Sequence, residues 1–550
     1  VAASLLPEIL LPNDTGICKL LCKESEMGKG LLIAAVMLMA ATTAATLECQ
    51  RRDYGRGSVV CVCNATYCDF AGDIGPLPSG AAIVFESGKG GLRFAKTAIP
   101  FGQASAWTDG GSARLVINTS VTYQQVFGFG GAFTDAAVLN IKSLPNNMQD
   151  DVFKSYYSPQ GIGYTIGRIP IASCDFSVRK YTYDDTPGDF ELSNFTLAPE
   201  DLDLKIPYIK KAMSLSDRPV WLFGSSWSSP AWMKTSNSLE GGGFLIGEPG
   251  GRYYKSWANY YVRFVQEYER HGVPIWGLTT QNEPTTGFVP GFSWQTLGFT
   301  AATLRDFVKL DLGPALEEAG YGPDKLKLMI IDDNRIVLQH WSDVILGEPQ
   351  ASKYVQGVAV HWYMDSFIGP QVLDKVHERF PDKFILGTEA CTGAALKPEN
   401  KVKLGSWERA EQYATDILED LNHWVSGWTD WNLALNTEGG PNWAKNFVDA
   451  PIIVNATASE FYKQPMYYVL GHFSKFVPRG SVRIDSRLEG DTAVTKLEYA
   501  AFKTPNSEIV VIVLNKDDSK LTLKIEDGSG TGRVEKVIGE RSITTFIWQS

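Results

Sequence analysis

The sequence predicts an α/β protein, a (β/α)8 TIM barrel that carries a β-sandwich, and three observations predict it. Eight short apolar runs alternate with helical patterns between about Gln124 and Leu433. Each run is apolar on both faces, as a parallel strand covered by helices must be. From about Ser481 the period changes to two, as in Leu521-Thr522-Leu523-Lys524-Ile525, which is the pattern of antiparallel strands. The 550 residues are 44% hydrophobic and 21% charged, so the chain can bury a core the size of one large barrel with satellites.

In chain order, the first 26 residues show no usable period and read as an upstream segment absent from the mature protein. Residues 27–45 follow the layout of a secretory signal peptide. Lys29 precedes an uncharged apolar run, Leu31 to Ala41, and Thr43-x-Ala45 offers a cleavage site, so the mature chain is expected to start near Thr46. A membrane anchor needs about 20 apolar residues, and this run has 11. Four cysteines, Cys49, Cys61, Cys63 and Cys68, then cluster as a disulfide-stapled module would. They allow three connectivities, of which Cys49 to Cys61 with Cys63 to Cys68 is the most local. A zinc site is the rival, weakened by the lack of a flanking His and of paired CxxC spacing. Cys174 and Cys391 read as free buried thiols. Four sequons, at Asn64, Asn118, Asn194 and Asn455, suit passage through the secretory pathway.

The eight barrel runs are Val126 to Gly130, Gly163 to Ile169, Val220 to Phe223, Ile275 to Thr279, Leu326 to Ile331, Val358 to His361, Phe384 to Leu386 and Trp428 to Leu433. Between them, Tyr254 to Tyr268 recur at helical spacing and stop at Gly272, and Ala410 to Trp424 do so after a capping Ser406. A doubly wound open sheet is the alternative arrangement of the same repeat. The stretch Ala81 to Thr122 has the character of the C-terminal strands and is expected to join their sandwich across the barrel.

In such a barrel, catalytic groups sit at the C-terminal ends of strands. The fourth run ends Thr279-Thr280-Gln281-Asn282-Glu283-Pro284 and the seventh Gly387-Thr388-Glu389-Ala390. Strands four and seven lie nearly opposite, so Glu283 and Glu389 can face each other across one mouth. Glycoside hydrolysis needs that pair: a protonated carboxyl for the leaving oxygen, and a carboxylate to attack the anomeric carbon or activate water. Other strand ends supply Asp135, Arg168, Trp227, His361-Trp362-Tyr363 and Asp430-Trp431-Asn432, the aromatic plates and short polar groups that a pyranose requires. Arg168 beside the carboxylates can hold one of them ionised, whereas His361 alone reads as a satisfied core histidine. With no HExxH, no third glycine after Gly128-x-Gly130, no GxxxxGK[ST] and no Gly-x-Ser-x-Gly around Ser226, no metal and no cofactor is expected. The net charge of -11 repels phosphate backbones, which argues against nucleic acid as a partner.

At these residues the sequence resembles the lysosomal acid β-glucosidase branch of glycoside hydrolase family 30. The likeness runs from Cys61-Val62-Cys63-Asn64-Ala65-Thr66-Tyr67-Cys68 to the C-terminus. It is closest at Val126 to Asp135, Ser173 to Ser177, Asn282-Glu283-Pro284, Thr388-Glu389-Ala390-Cys391 and Gly427 to Pro451. The resemblance implies a barrel over 124–432 plus 465–479 and a sandwich over 78–123 plus 480–550. It also implies a small disulfide-linked antiparallel sheet over 46–77 plus 433–464. It casts Glu283 as acid/base and Glu389 as nucleophile of a retaining enzyme, with Asp135, Trp227, Asn282, Trp431 and Asn446 contacting glucose and Tyr363 beside the nucleophile. It implies hydrolysis of glucosylceramide in the lysosome lumen, peripheral to an anionic lipid membrane surface, with a saposin-type activator and a lysosomal trafficking receptor as partners. Another family 30 specificity, β-xylosidase or β-1,6-glucanase, and a non-catalytic glycan-binding protein are the competing expectations. Residues 1–26 have no family counterpart, and the loops at Ser236 to Gly251, Asp365 to Pro370 and Thr392 to Lys401 depart from the pattern.

Overall fold

The computed structural model describes residues 48–102, 112–394, 397–489, 496–528 and 533–550; the expected upstream segment and signal peptide lie outside them. Eight parallel strands close into a barrel: β1 (Gly128–Ala132), β2 (Ile166–Ile171), β3 (Trp221–Ser226), β4 (Gly277–Thr279), β5 (Lys327–Asn334), β6 (Gly357–His361), β7 (Phe384–Glu389) and β8 (Val425–Asn432), with β8 pairing β1. Every one of the eight apolar runs supplies a barrel strand. The lower interior is filled by Ile166, Phe223, Met329, Ala359 and Leu386, and below them Trp221 stacks on Trp276 at 4.8 Å. This apolar plug closes one end of the barrel and leaves the C-terminal end for chemistry.

Around the barrel, helix α1 (Arg252–Arg270) turns Trp257, Tyr261, Phe264 and Tyr268 inward, and Gly272 after it adopts φ +80°, the left-handed stop that glycine permits. Helix α2 (Trp407–Asn422) starts where Ser406 accepts a hydrogen bond from Arg409 N. Helix α3 (Pro465–Ser474) is buried along its whole length. Its His472 lies 2.9 Å from Ser87 Oγ and 2.7 Å from Thr545 Oγ1, which ties the barrel to the sandwich.

The stretch Ala81–Gly88, Ala95–Pro100 and Ser112–Gln125 joins the C-terminal strands in one nine-stranded sheet. One pairing departs from the antiparallel expectation: Leu521–Asp527 runs parallel to Ser112–Gln125. These strands come from opposite sides of the barrel in sequence, so no hairpin dictates their direction. In the small sheet, strands Arg51–Asp53, Val59–Asn64, Glu460–Lys463 and Ile452–Asn455 are antiparallel in turn, but Leu435–Asn436 pairs parallel with the last of these. Cys49 bonds Cys61 and Cys63 bonds Cys68, so none of these sulfurs is available as a zinc thiolate. Cys174 and Cys391 are free and buried. Among the described residues no helix is long and apolar enough to cross a membrane.

Candidate active site

The upper ends of the barrel strands are irregular. Register shifts occur between Ile331 and Asp333, between Val360 and His361, and between Asp430 and Asn432. Such bulges re-aim side chains, here toward the mouth. Glu283, four residues beyond β4, has φ +39° and ψ +58°. That left-handed conformation is costly for a non-glycine residue and is held by Glu283 N donating to Asp332 O and Asn282 N to Ser226 O, both at 2.9 Å. Glu389 ends β7. An oxygen of each carboxyl and a ring nitrogen of His361 all lie within 4.8 Å of one another.

Arg168, fully buried on β2, organises this constellation from beneath. Its Nη1 donates to Glu389 Oε2, and Nη2 donates to Asp332 Oδ2 at 2.9 Å and to Asn282 Oδ1 at 2.8 Å. Asp332 also accepts from Thr279 Oγ1 and Thr388 Oγ1, both at 2.7 Å, and from His361 Nε2 at 3.0 Å. Burial alone would raise its pKa, but Arg168 and His361 together hold it well below the usual carboxylate range. His361 experiences the converse. Burial opposes its charge, yet Glu389, Asp332 and Glu283 push it up to about 10. The buried, fully partnered histidine read from the sequence is therefore an imidazolium that spans two carboxylates.

Tyr363 donates its hydroxyl to Glu389 Oε1 at 2.7 Å, so both oxygens of that carboxylate are held. Trp227 and Trp431 stack at 5.1 Å with 15° between their planes, and the Arg168 guanidinium lies 4.9 and 5.3 Å from their centroids. Glu283, Glu389, Trp227, Asn282, Tyr363, Trp431 and Asn446 line one open cavity of about 490 Å³. Arg168 lies behind its wall, and Asp430 is buried against the Tyr413 hydroxyl at 2.6 Å.

Asp135 is not brought into the cavity. Thr134 caps the helix that Asp135 opens, and this turns the carboxyl into a buried cluster where it accepts from Tyr181 at 2.9 Å and lies 3.7 Å from Lys205 Nζ. Lys205 is shared with Asp201 at 2.8 Å, and burial raises the Asp135 pKa against the pull of that ammonium. The cavity's further carboxyl is Asp175, which accepts from Asn442 and Asn446 at 3.1 Å each. Burial pushes it up to about 7, Glu389 and Glu283 add to the rise, and the two amides oppose it. Asp175 sits in the Ser173 to Ser177 segment, whose close resemblance was the available signal. Asp332 stands one residue past the fifth apolar run and carried no signal of its own. Of the sequons, Asn118 and Asn194 are exposed and Asn64 and Asn455 half-buried, with Asn455 Nδ2 donating to the Tyr462 hydroxyl at 3.0 Å.

Two carboxyls close enough to share one anomeric carbon, over a floor of stacked indoles, define a glycoside hydrolase. The chain belongs to glycosyl hydrolase family 30. The family's TIM-barrel domain matches residues 126–477 and its beta sandwich domain residues 480–546. The chain is 47% identical to a putative glucosylceramidase 4 of Caenorhabditis elegans, over 94% of this chain and 98% of that one. It is 45% identical to the lysosomal acid glucosylceramidase of Mus musculus, over 91% and 95%. Among solved structures it resembles SrfJ from Salmonella typhimurium, at 27% identity and a TM-score of 0.77 over 86% of this chain and all of that one.

Proposed function

We propose that this chain is a retaining β-glucosidase that hydrolyses glucosylceramide to glucose and ceramide by double displacement. The observation that carries the mechanism is the 4.8 Å limit on the separation between oxygens of Glu283 and Glu389. Retaining enzymes hold their carboxyls about 5–5.5 Å apart, whereas inverting enzymes need about 6.5–9.5 Å to admit water. Glu389, ionised between Arg168 and Tyr363, attacks the anomeric carbon. The proton of Glu283 passes to the departing ceramide oxygen as the glycosidic bond breaks. Glu283 then takes a proton from water, whose oxygen displaces Glu389 and releases glucose.

The substrate reading rests on the names of the relatives in nematode and mouse. It gains support from Phe288, Val289 and Phe367, large apolar side chains exposed on the loops after β4 and β6, where a lipid aglycone would leave the cavity. The same rim suits peripheral contact with an anionic membrane. The mouse relative supports a lysosomal site of action, reached through the secretory pathway by way of the signal peptide and sequons. The saposin-type activator and trafficking receptor belong to this reading through family resemblance alone.

The test is release of glucose from glucosylceramide vesicles at acid pH, with the first-formed anomer identified by NMR. Retention is expected, as is near-total loss in Glu389→Gln and partial rescue of Glu283→Gln by substrates with good leaving groups. Inversion, or faster turnover of the matching xyloside than of the glucoside, would overturn the proposal.

A further inference from the structure

The charges of the catalytic cavity balance except at one place on its wall. At acid pH, Arg168 and His361 offset Asp332 and Glu389, the acid/base Glu283 holds a proton, and Asp175, which burial pushes up to about 7, is neutral. Lys401 is left over. It lines the same cavity and is half-buried, and among the described residues its ammonium has no ion pair and no hydrogen bond. Burial pulls its pKa down, as happens to an ammonium that has lost water without gaining a carboxylate. The backbone imposes this position. A turn at Pro398–Asn400 precedes Lys401, its carbonyl accepts from Arg409 Nη1 at 2.8 Å, and Val402 packs against the cluster that contains Cys391 and Trp431. The other limb of the loop lies against it, since a Cβ on Gly393 would stand 2.5 Å from the Lys401 carbonyl oxygen.

Resting on the glucosidase reading above, we propose that Lys401 reads the aglycone, and that the cavity prefers β-glucosides whose aglycone carries a negative charge. No other lining residue competes for that role: Phe292, Trp294, Ala394 and Val448 are apolar, and Thr286 and Asn334 are neutral. A half-desolvated ammonium gains more from an anion than from a neutral acceptor, because the hydrogen bond is then charged on both sides. An acidic group on the aglycone also restores the neutrality that Lys401 alone upsets. A neutral lipid aglycone meets the same ammonium only through its amide carbonyl, the weaker partner. The bonds broken and formed are those of the double displacement, and the anion stays on the departing alcohol or phenol. Lys401 closes the loop 392–401, which departs from the family pattern, so the preference belongs to that loop and not to the barrel.

The test compares para-carboxyphenyl β-glucoside with its methyl ester at about pH 5.5, where a carboxylate is ionised and a lysine is cationic. The quantity read is the acid-to-ester ratio of kcat/KM, followed from wild type to variant so that the difference in leaving ability cancels. Lys401→Met should lower that ratio about 5- to 10-fold, and Lys401→Arg, which keeps the charge, should hold it within about twofold. Salt at about 0.5 M should lower the wild-type ratio by a similar factor. Lys397→Met removes an exposed charge from the same loop and should leave the ratio as it is in the wild type. A ratio in Lys401→Met within about twofold of the wild type, or an equal fall in Lys397→Met, would overturn the proposal. Should Lys401→Met fail to fold, a wild-type ratio that salt does not lower overturns it instead. If the wild type released glucose from neither compound, the glucosidase reading itself would fall, and this proposal with it.

Discussion

His361 Nδ1 lies 3.2 Å from Glu283 Oε1, with the far side of the same ring 3.0 Å from Asp332. A cation is thus fixed against the acid/base candidate by an anchor that is itself buried and ionised. Together with Arg168 it sets two positive charges against Asp332, Glu389 and Glu283. The sum is neutral when one of the three carboxyls carries a proton, which is the state that general acid catalysis requires.

Replacing His361 with Gln keeps a hydrogen-bonding side chain and removes the charge. Loss of a nearby cation makes carboxylates easier to protonate, so both limbs of the pH–rate profile should move to higher pH, by about one unit. Turnover should fall by roughly 10- to 100-fold through poorer alignment. A profile of unchanged position with reduced height would limit His361 to packing.

Tyr363→Phe deletes one hydrogen bond to Glu389 and little volume. The phenol is half-buried at the cavity wall and its pKa is raised, with desolvation the chief cause, so it serves as a donor at every working pH. A hydrogen bond to a charged group contributes about 1.5–3 kcal/mol, which corresponds to a fall in kcat of about 10- to 150-fold. The glucose-binding surface is otherwise kept, and KM should change far less. Steady-state kinetics with a soluble aryl glucoside separates the two parameters.

Stability should be greater at pH 5 than at pH 8. Burial pushes Asp175 up to about 7. Burial and neighbouring acids push Asp420 to about 7 and Asp365 to about 10, against the opposing pull of Arg335. Each folded-state value lies above the unfolded value of about 3.9. The stabilisation is therefore complete below about pH 4 and is lost as pH rises through the folded values. His361, raised to about 10, adds a loss between about pH 6.5 and 10. His472, which burial lowers to about 3, works in the opposite sense, but only as pH falls below about 6.5. Calorimetric melting across this range gives the answer, and a Tm at pH 8 equal to that at pH 5 would refute the balance.

The barrel was legible because its strands are buried on both faces, so each appears as an apolar run whatever its neighbours are. Glu283 and Glu389 were legible because strand ordinal and strand end locate them without any knowledge of side-chain direction. Asp135 and Asp175 were not separable by that rule. Both follow barrel strands, and only the folded chain shows Asp135 packed against Tyr181 and Lys205 while Asp175 lines the cavity. His361 was read correctly as buried, but its partners Glu283 and Asp332 lie 78 and 29 residues away, and only chain closure brings them together. The parallel pairing of Leu521–Asp527 with Ser112–Gln125 was hidden for the same reason, since the period of two fixes faces and not directions.

Closure of the barrel should be exceptionally sensitive at Gly130. This residue pairs with Ile166 of β2, and a Cβ built on it would stand 2.0 Å from the Ile166 carbonyl oxygen. No rotamer relieves a contact with backbone, so an alanine must push β1 and β2 apart or tilt one of them. These strands lead to the Thr134 cap and to Arg168, and the displacement would spread into the cavity. Gly130→Ala is expected to cost at least about 3 kcal/mol and to appear as lost soluble expression or a markedly lower Tm. Gly90→Ala is the matched control, because a Cβ there meets nothing within 4 Å and should change stability by less than about 0.5 kcal/mol. If both variants melt with the wild type, the tight β1–β2 approach is not what holds the barrel closed.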